Sequence, residues 1–269
     1  MNYDRISSYP IETFFTELAR IQLYKMADYV LMPQGIHVSR KMEITVIVPE
    51  MVSLHDFLHS PASINGSEEG LSLEKKIALL LELSRILSQF HSLAVPFAHG
   101  SITSHNIYVD FDPESERPHV RIGELEMRDF KKYANMFYSY RSVSVWSAPE
   151  CLKQQKKHVD PTWQMDAYSF GILMWEVLYE KIPFEGEVKT AIEYVVDEDA
   201  RPLILTVENQ QQEPDSSDLE SNAAMVLTDD LANIIRRCWQ SDPNQRANLN
   251  QVAKWLKEQQ AVLFESDLE

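Results

Sequence analysis

Glycine is scarce in this chain. The seven glycines of its 269 residues stand at 35, 66, 70, 100, 123, 171 and 186, and no G-x-G occurs. That spacing excludes the glycine-rich loops that let a backbone close around phosphates. Cysteine is scarcer still. Cys151 and Cys238 are far apart and in unrelated surroundings, so no metal or redox spacing exists, and each reads as a small buried hydrophobe. Positive charge is also short: 25 Lys and Arg face 41 Asp and Glu, giving a net charge of −16. Nucleic acid and anionic membrane surfaces are therefore poor main partners. The first ten residues lack a basic region followed by an apolar run, which predicts no secretory leader and a cytoplasmic or nuclear location.

What is present is a globular composition, 44% hydrophobic and 10% aromatic, enough to bury a core. Its densest stretch is Met165–Tyr179, apolar on nearly every face. A helix apolar all round is surrounded by protein, and this one is shorter than the roughly 20 residues a membrane span needs. Gly171 inside it predicts a close helix contact, since glycine costs a helix interior about 1 kcal/mol against alanine. Asp166, near its start, has to find hydrogen-bond donors and is expected to tie down a loop above the helix.

The remaining elements follow from periodicity and caps. A helix is predicted over 11–25, with Phe14, Leu18 and Ile21 on one face and Glu17 in its middle. Strands are expected near 35–40 and 43–48, and a short helix over 53–59. A polar connector over 60–71 leads to a long helix capped by Ser72 and running to about Leu93. Strand-like pieces follow at 107–109 and 120–122, then a loop over 124–147 and a helix over 188–196. The acidic stretch 207–223 reads as a solvated insertion, with an interaction segment as the other reading. Thr228 caps a helix to about Trp239, and Asn248 with Gln251 forms a capping-box pattern for the last helix. Few strands first and many helices afterwards suit an α+β fold, a small mixed lobe before a mostly helical one.

Taken in order, these landmarks resemble the protein-kinase fold. Ser147-Ala148-Pro149-Glu150 is similar to the A-P-E that closes an activation segment. Asp166-x-x-Ser169-Phe170-Gly171 resembles the family's F helix, Ile182-Pro183-Phe184 the segment after it, and Arg201-Pro202 the turn that follows. Cys238-Trp239-x-x-Asp242-Pro243-x-x-Arg246 resembles the tyrosine-kinase-like group. The resemblance implies an ion pair between Glu150 and Arg246. It also implies that residues 1–51 form a partial, truncated N-lobe of helix and short strands, and that 52–269 form the helical C-lobe. A chain that is part of a longer one is equally compatible with the missing first strands.

At the catalytic positions the likeness fails. The family's H-R-D-x-x-x-x-N corresponds to His99-Gly100-Ser101-Ile102-Thr103-Ser104-His105-Asn106. His99 and Asn106 match, but Ser101 stands where the resemblance implies the catalytic aspartate, and Thr103 where it implies a lysine. The metal-holding D-F-G corresponds to Glu124-Leu125-Glu126. Glu124 keeps a carboxylate suited to Mg²⁺, whereas Glu126 puts negative charge where a triphosphate would lie. Glu17 aligns with the helix glutamate that pairs with a lysine, yet no V-A-I-K strand precedes it, and Arg5 is a poor stand-in. His105 reads as a structural loop residue rather than a substitute base.

Such losses resemble those of pseudokinases of the mixed-lineage-kinase-domain-like and integrin-linked-kinase kinds. They imply a domain with no cofactor that binds other proteins, with no direct membrane insertion. The alternative is a divergent, weakly active Ser/Thr or Tyr protein kinase, or a switch that binds ATP with Mg²⁺ through Asn106 and Glu124. In the stretch 127–147, Ser139, Tyr140, Ser142 and Ser144 are possible phosphosites, against the plainer reading that its aromatics pack on the helical lobe.

Overall fold

The computed structural model describes residues 12, 15–38, 44–60, 70–111, 117–125, 143–154, 159–206 and 225–266. Helix α1 occupies 15–23, with Ile21 and Glu17 turned inward. It stops before the predicted Lys25 because Lys25 turns left-handed (φ 57), and the Met26 amide bonds back to the Ile21 carbonyl at 3.1 Å, a C-terminal closure that ends helices. Phe14 lies outside the described residues.

Strands β1 (Gly35–Val38) and β2 (Ile44–Ile47) pair antiparallel, Gly35 opposite Ile47. A second sheet has the order β3 (Val52–Ser53), β4 (Ile107–Phe111), β5 (Pro118–Ile122), also antiparallel. β4 and β5 exceed their predicted lengths because pairing continues out to Phe111 opposite Pro118. The Leu31 amide donates to the Ile122 carbonyl at 3.0 Å, so the chain after α1 lies along the outer edge of β5.

Helix α2 (Leu54–His59) starts at Ser53, whose hydroxyl accepts from the Asp56 amide at 3.0 Å. Helix α3 (Leu73–His91) is capped by Ser72 as predicted, and its five predicted inward residues, Ile77, Leu80, Leu81, Leu87 and Phe90, are all buried. A short α4 (Pro149–Lys153) precedes α5 (Trp163–Tyr179). The predicted central helix began at Met165. It starts two residues earlier, because the Thr162 hydroxyl accepts from the Met165 amide and sets the cap there.

Every residue of α5 from Met165 to Leu178 is buried. A Cβ added at Gly171 would meet the Cys238 Cβ at 2.7 Å, which is the close approach the glycine implied. α6 (Val188–Ile192) is shorter than predicted and passes into a π turn, Glu193–Asp197. α7 (Asp229–Cys238) packs on α5, and α8 (Leu249–Ser266) packs on α3. Asn248 and Gln251 exchange the reciprocal capping bonds at 3.3 and 3.0 Å that the pattern predicted. A single buried apolar cluster runs from Ile21 to Leu256, so α1, the inward side of α3 and α5 share one core. Among the described residues no helix is long and apolar enough to cross a membrane.

Candidate functional site

The loop His99–Asn106 lies over α5, and two buried carboxylates of that helix hold its two ends. At the start, Asp166 accepts the His99 amide at 2.8 Å and the Gly100 amide at 2.7 Å. His91 Nε2, from the end of α3, sits 2.8 Å from the same carboxylate. This is the role that burial alone demanded of Asp166. Gly100 is left-handed (φ 74) and packed on Pro161, so no side chain fits there.

Within the loop, the Ser101 amide donates to His99 Nδ1 at 3.2 Å, which leaves Nε2 as the protonated nitrogen donating to the Gly123 carbonyl at 3.0 Å. Asn106 braces the turn from inside: its Oδ1 accepts from the Thr103 amide at 3.0 Å and its Nδ2 donates to the Ser101 carbonyl. The Gly123 amide in turn donates to the Asn106 carbonyl at 2.8 Å, joining the loop to the end of β5.

At the far end, Glu176 is fully buried and receives three donors from three segments. They are Ser104 Oγ at 2.8 Å, Trp146 Nε1 at 2.7 Å and His59 Nε2 at 2.9 Å. One carboxylate thus fastens the loop, the segment before α4, and α2 to the central helix. Above it, His105 stacks on His55 at 4.0 Å and meets Trp146 edge-on at 5.6 Å. Partial desolvation, and then the neighbouring His55, hold the otherwise exposed His105 below the ordinary histidine value, against the pull of Glu176 and Asp56.

The sequence profile described as "Protein tyrosine and serine/threonine kinase" matches this chain over residues 4–256. The chain belongs to that family. Among its relatives are the human mixed lineage kinase domain-like protein, 28% identical over 193 residues, and the serine/threonine/tyrosine-protein kinase HT1 of Arabidopsis thaliana, 26% identical over 187. Each match covers 70% of this chain and 36% or 40% of the relative. The mouse ankyrin repeat and protein kinase domain-containing protein 1 is 26% identical over 184 residues, 66% of this chain and 22% of its own length. The chain thus spans less than half the length of these relatives.

In this kinase-family chain the Glu150–Arg246 pair implied by the resemblance is made in full. Arg246 Nη1 and Nη2 reach the two Glu150 oxygens at 2.7 and 2.8 Å, and the same guanidinium donates to the carbonyls of Gln164 and Gln240. It also lies over the buried Tyr168 ring at 5.0 Å. Glu17 is buried, with Arg20 of the same helix 3.8 Å away.

The positions that would face a nucleotide differ in kind. Ser101 is half-buried and Thr103 buried. Glu124 is exposed at φ 60, and Leu125 is buried in the core. Among the described residues no group of three His, Cys, Asp or Glu is set to hold a metal ion. Glu126, Ser139, Tyr140, Ser142 and Arg5 lie outside the described residues. Ser144 does not: its amide donates to Ser147 Oγ at 2.8 Å, in the turn before α4. Cys151 lies in α4 and its thiol is pushed up to about 12, chiefly by burial, so it is a poor nucleophile.

Sequence reasoning missed Glu176 and the side chains gathered on it. The signal was available, because a second carboxylate in a helix apolar all round needs donors just as Asp166 does.

Proposed function

We propose that this chain is a catalytically inactive protein-kinase-like domain, a pseudokinase of the tyrosine-kinase-like group, acting in signalling as a scaffold or regulator that binds other proteins. Phosphoryl transfer is mostly positioning and electrostatics around the triphosphate, so it depends on charges placed at a few points. What carries the reading is Ser101 at the position of the catalytic aspartate. A serine hydroxyl is not a base at neutral pH, and the described part of the loop supplies no carboxylate in its stead.

Two further features support it. Thr103 replaces a lysine, and Leu125 with Glu126 removes the D-F-G pattern. The donor set also fits an ATP–Mg²⁺ pair poorly. Mg²⁺ in such sites is held through carboxylates and substrate phosphates, and the match offers Glu124 plus Asn106, whose Oδ1 already accepts from the Thr103 amide. We therefore assign no cofactor and derive no catalytic step. Residues 1–51 are on this reading a partial N-lobe, 52–269 the helical lobe, and the protein cytoplasmic or nuclear. Ser139, Tyr140, Ser142 and Ser144 are the positions where a second kinase would act.

One observation favours a slow kinase or ATP-binding switch instead: the exposed Glu124 carboxylate directly follows Gly123, which is bonded to Asn106. Incubation of the full chain with radiolabelled ATP, Mg²⁺ or Mn²⁺ and a generic protein substrate separates the two. The pseudokinase reading expects no transfer above that of a heat-denatured control. Transfer that disappears in Asn106→Ala or Glu124→Ala overturns it.

A further inference from the structure

A cavity of 1040 Å³ opens between α3 and β5, and none of the loop residues His99–Asn106 lines it. Its charged lining is Lys75, Glu74, Glu82 and Arg85 from α3, Arg121 from β5, Arg117 just before β5, and Asp28 from the turn after α1. Arg85 is answered by Glu82 at 3.7 Å. Arg117 and Arg121 have no carboxylate within ion-pair distance among the described residues. In a chain with 41 acidic residues to 25 basic ones, two such guanidinium groups four residues apart along one cavity run against the composition.

The strand explains how they are displayed. Side chains alternate along β5, so His119 and Arg121 share one face while Val120 and Ile122 are buried, and the exposed Arg117 stands just before the strand. β5 is the outer strand of its sheet, and among the described residues Val30 and Leu31 pair with its edge at Ile122. Backbone groups alternate as well, so the amide and carbonyl of Val120 point to the same open edge as the Ile122 carbonyl that Leu31 occupies. Strand edges of this kind take up extended peptides, main-chain bonds giving affinity and alternate side chains giving specificity.

We propose that this groove binds an extended acidic peptide, paired along the edge of β5 with a carboxylate at every second residue meeting Arg117, His119 and Arg121. The site goes beyond the pseudokinase reading and does not depend on it, since the groove is the same whether or not ATP turns over.

The test uses the full 269-residue chain and a fluorescein-labelled ten-residue peptide alternating Glu and Thr, followed by anisotropy. The groove predicts saturable binding that weakens with salt, and no binding of the matching Gln–Thr peptide. Arg117→Glu/Arg121→Glu should weaken it at least about tenfold, as reversing charges at a complementary surface does, while Lys189→Glu, on α6, leaves it unchanged. If the double charge reversal lowers the melting temperature, Arg117→Gln/Arg121→Gln is read in its place. Absence of saturable binding, equal binding by the substituted chain, or equal affinity for a single-stranded oligonucleotide of the same charge overturns the proposal.

Discussion

The two sides of the His99–Asn106 loop differ in what holds their side chains. Beneath it, Asp166 and Glu176 lie ten positions apart on α5, about 15 Å along the helix at 1.5 Å per residue. Both are wholly buried, and between them they accept donors from α2, α3, the loop and the segment before α4. On the other side are the half-buried Ser101 and the exposed Glu124, a hydroxyl and a carboxylate, at the positions where the proposed reading has the catalytic set altered. The buried contacts that hold the loop are thus all made, while on the proposed reading the residues the loop would aim are changed. Side chains that hold a loop are constrained by the cost of burying a charge without partners, and that cost persists whatever the loop does. Side chains that act on a substrate carry no such constraint from the fold.

Substitutions on the two sides should therefore give opposite results. The largest effect is expected at Arg246→Ala, which strips Glu150 and several carbonyls of their donor. Breaking a buried pair costs about 3–5 kcal/mol, and the low end applies because the Glu150 side chain is 23% exposed. Thermal or urea unfolding measures it, and a loss below about 1 kcal/mol would place the pair among ordinary surface bridges. Next is Glu176→Gln. It keeps the shape but removes the charge from three hydrogen bonds, and should cost about 2 kcal/mol and raise proteolysis of the segment around Trp146.

A smaller effect belongs to pH. His105 titrates below the ordinary histidine value, chiefly through partial desolvation and then through His55. The unfolded chain therefore takes up this proton first as pH falls through about 6.5. His105 adds nothing to the pH dependence above that point and lowers stability from there down to its own folded value. His105→Asn should make the fall in melting temperature between pH 7 and pH 5 slightly shallower than in the parent. A steeper fall would reverse the sign of this argument. Smallest of all is Ser101→Ala, which leaves the backbone bond to His99 in place and should shift stability by less than about 0.5 kcal/mol.

The same contrast marks what could be read from sequence. Asp166 was legible because one residue in one helix states the problem, and Gly171, Ser72, Thr228 and Asn248 were legible because caps and close approaches are local. Glu150 with Arg246 followed from the family resemblance and not from spacing. The Glu176 cluster was out of reach in detail: its donors come from positions 59, 104 and 146, which no periodicity connects. The helix predicted over 188–196 is there, but its change to a π turn at 193–197 was not legible, since that turn has no distinctive residue pattern. The groove beside β5 depends on Leu31 stopping at Ile122, a tertiary fact.

The most direct measurement is the melting temperature of the full chain with and without ATP and Mg²⁺. A ligand held at 100 times its dissociation constant stabilises a fold by about 2.7 kcal/mol, an easily seen shift. The account predicts no shift at millimolar ATP–Mg²⁺, for the parent and for Glu124→Ala alike. A clear rise that is lost in Glu124→Ala or Asn106→Ala would contradict it.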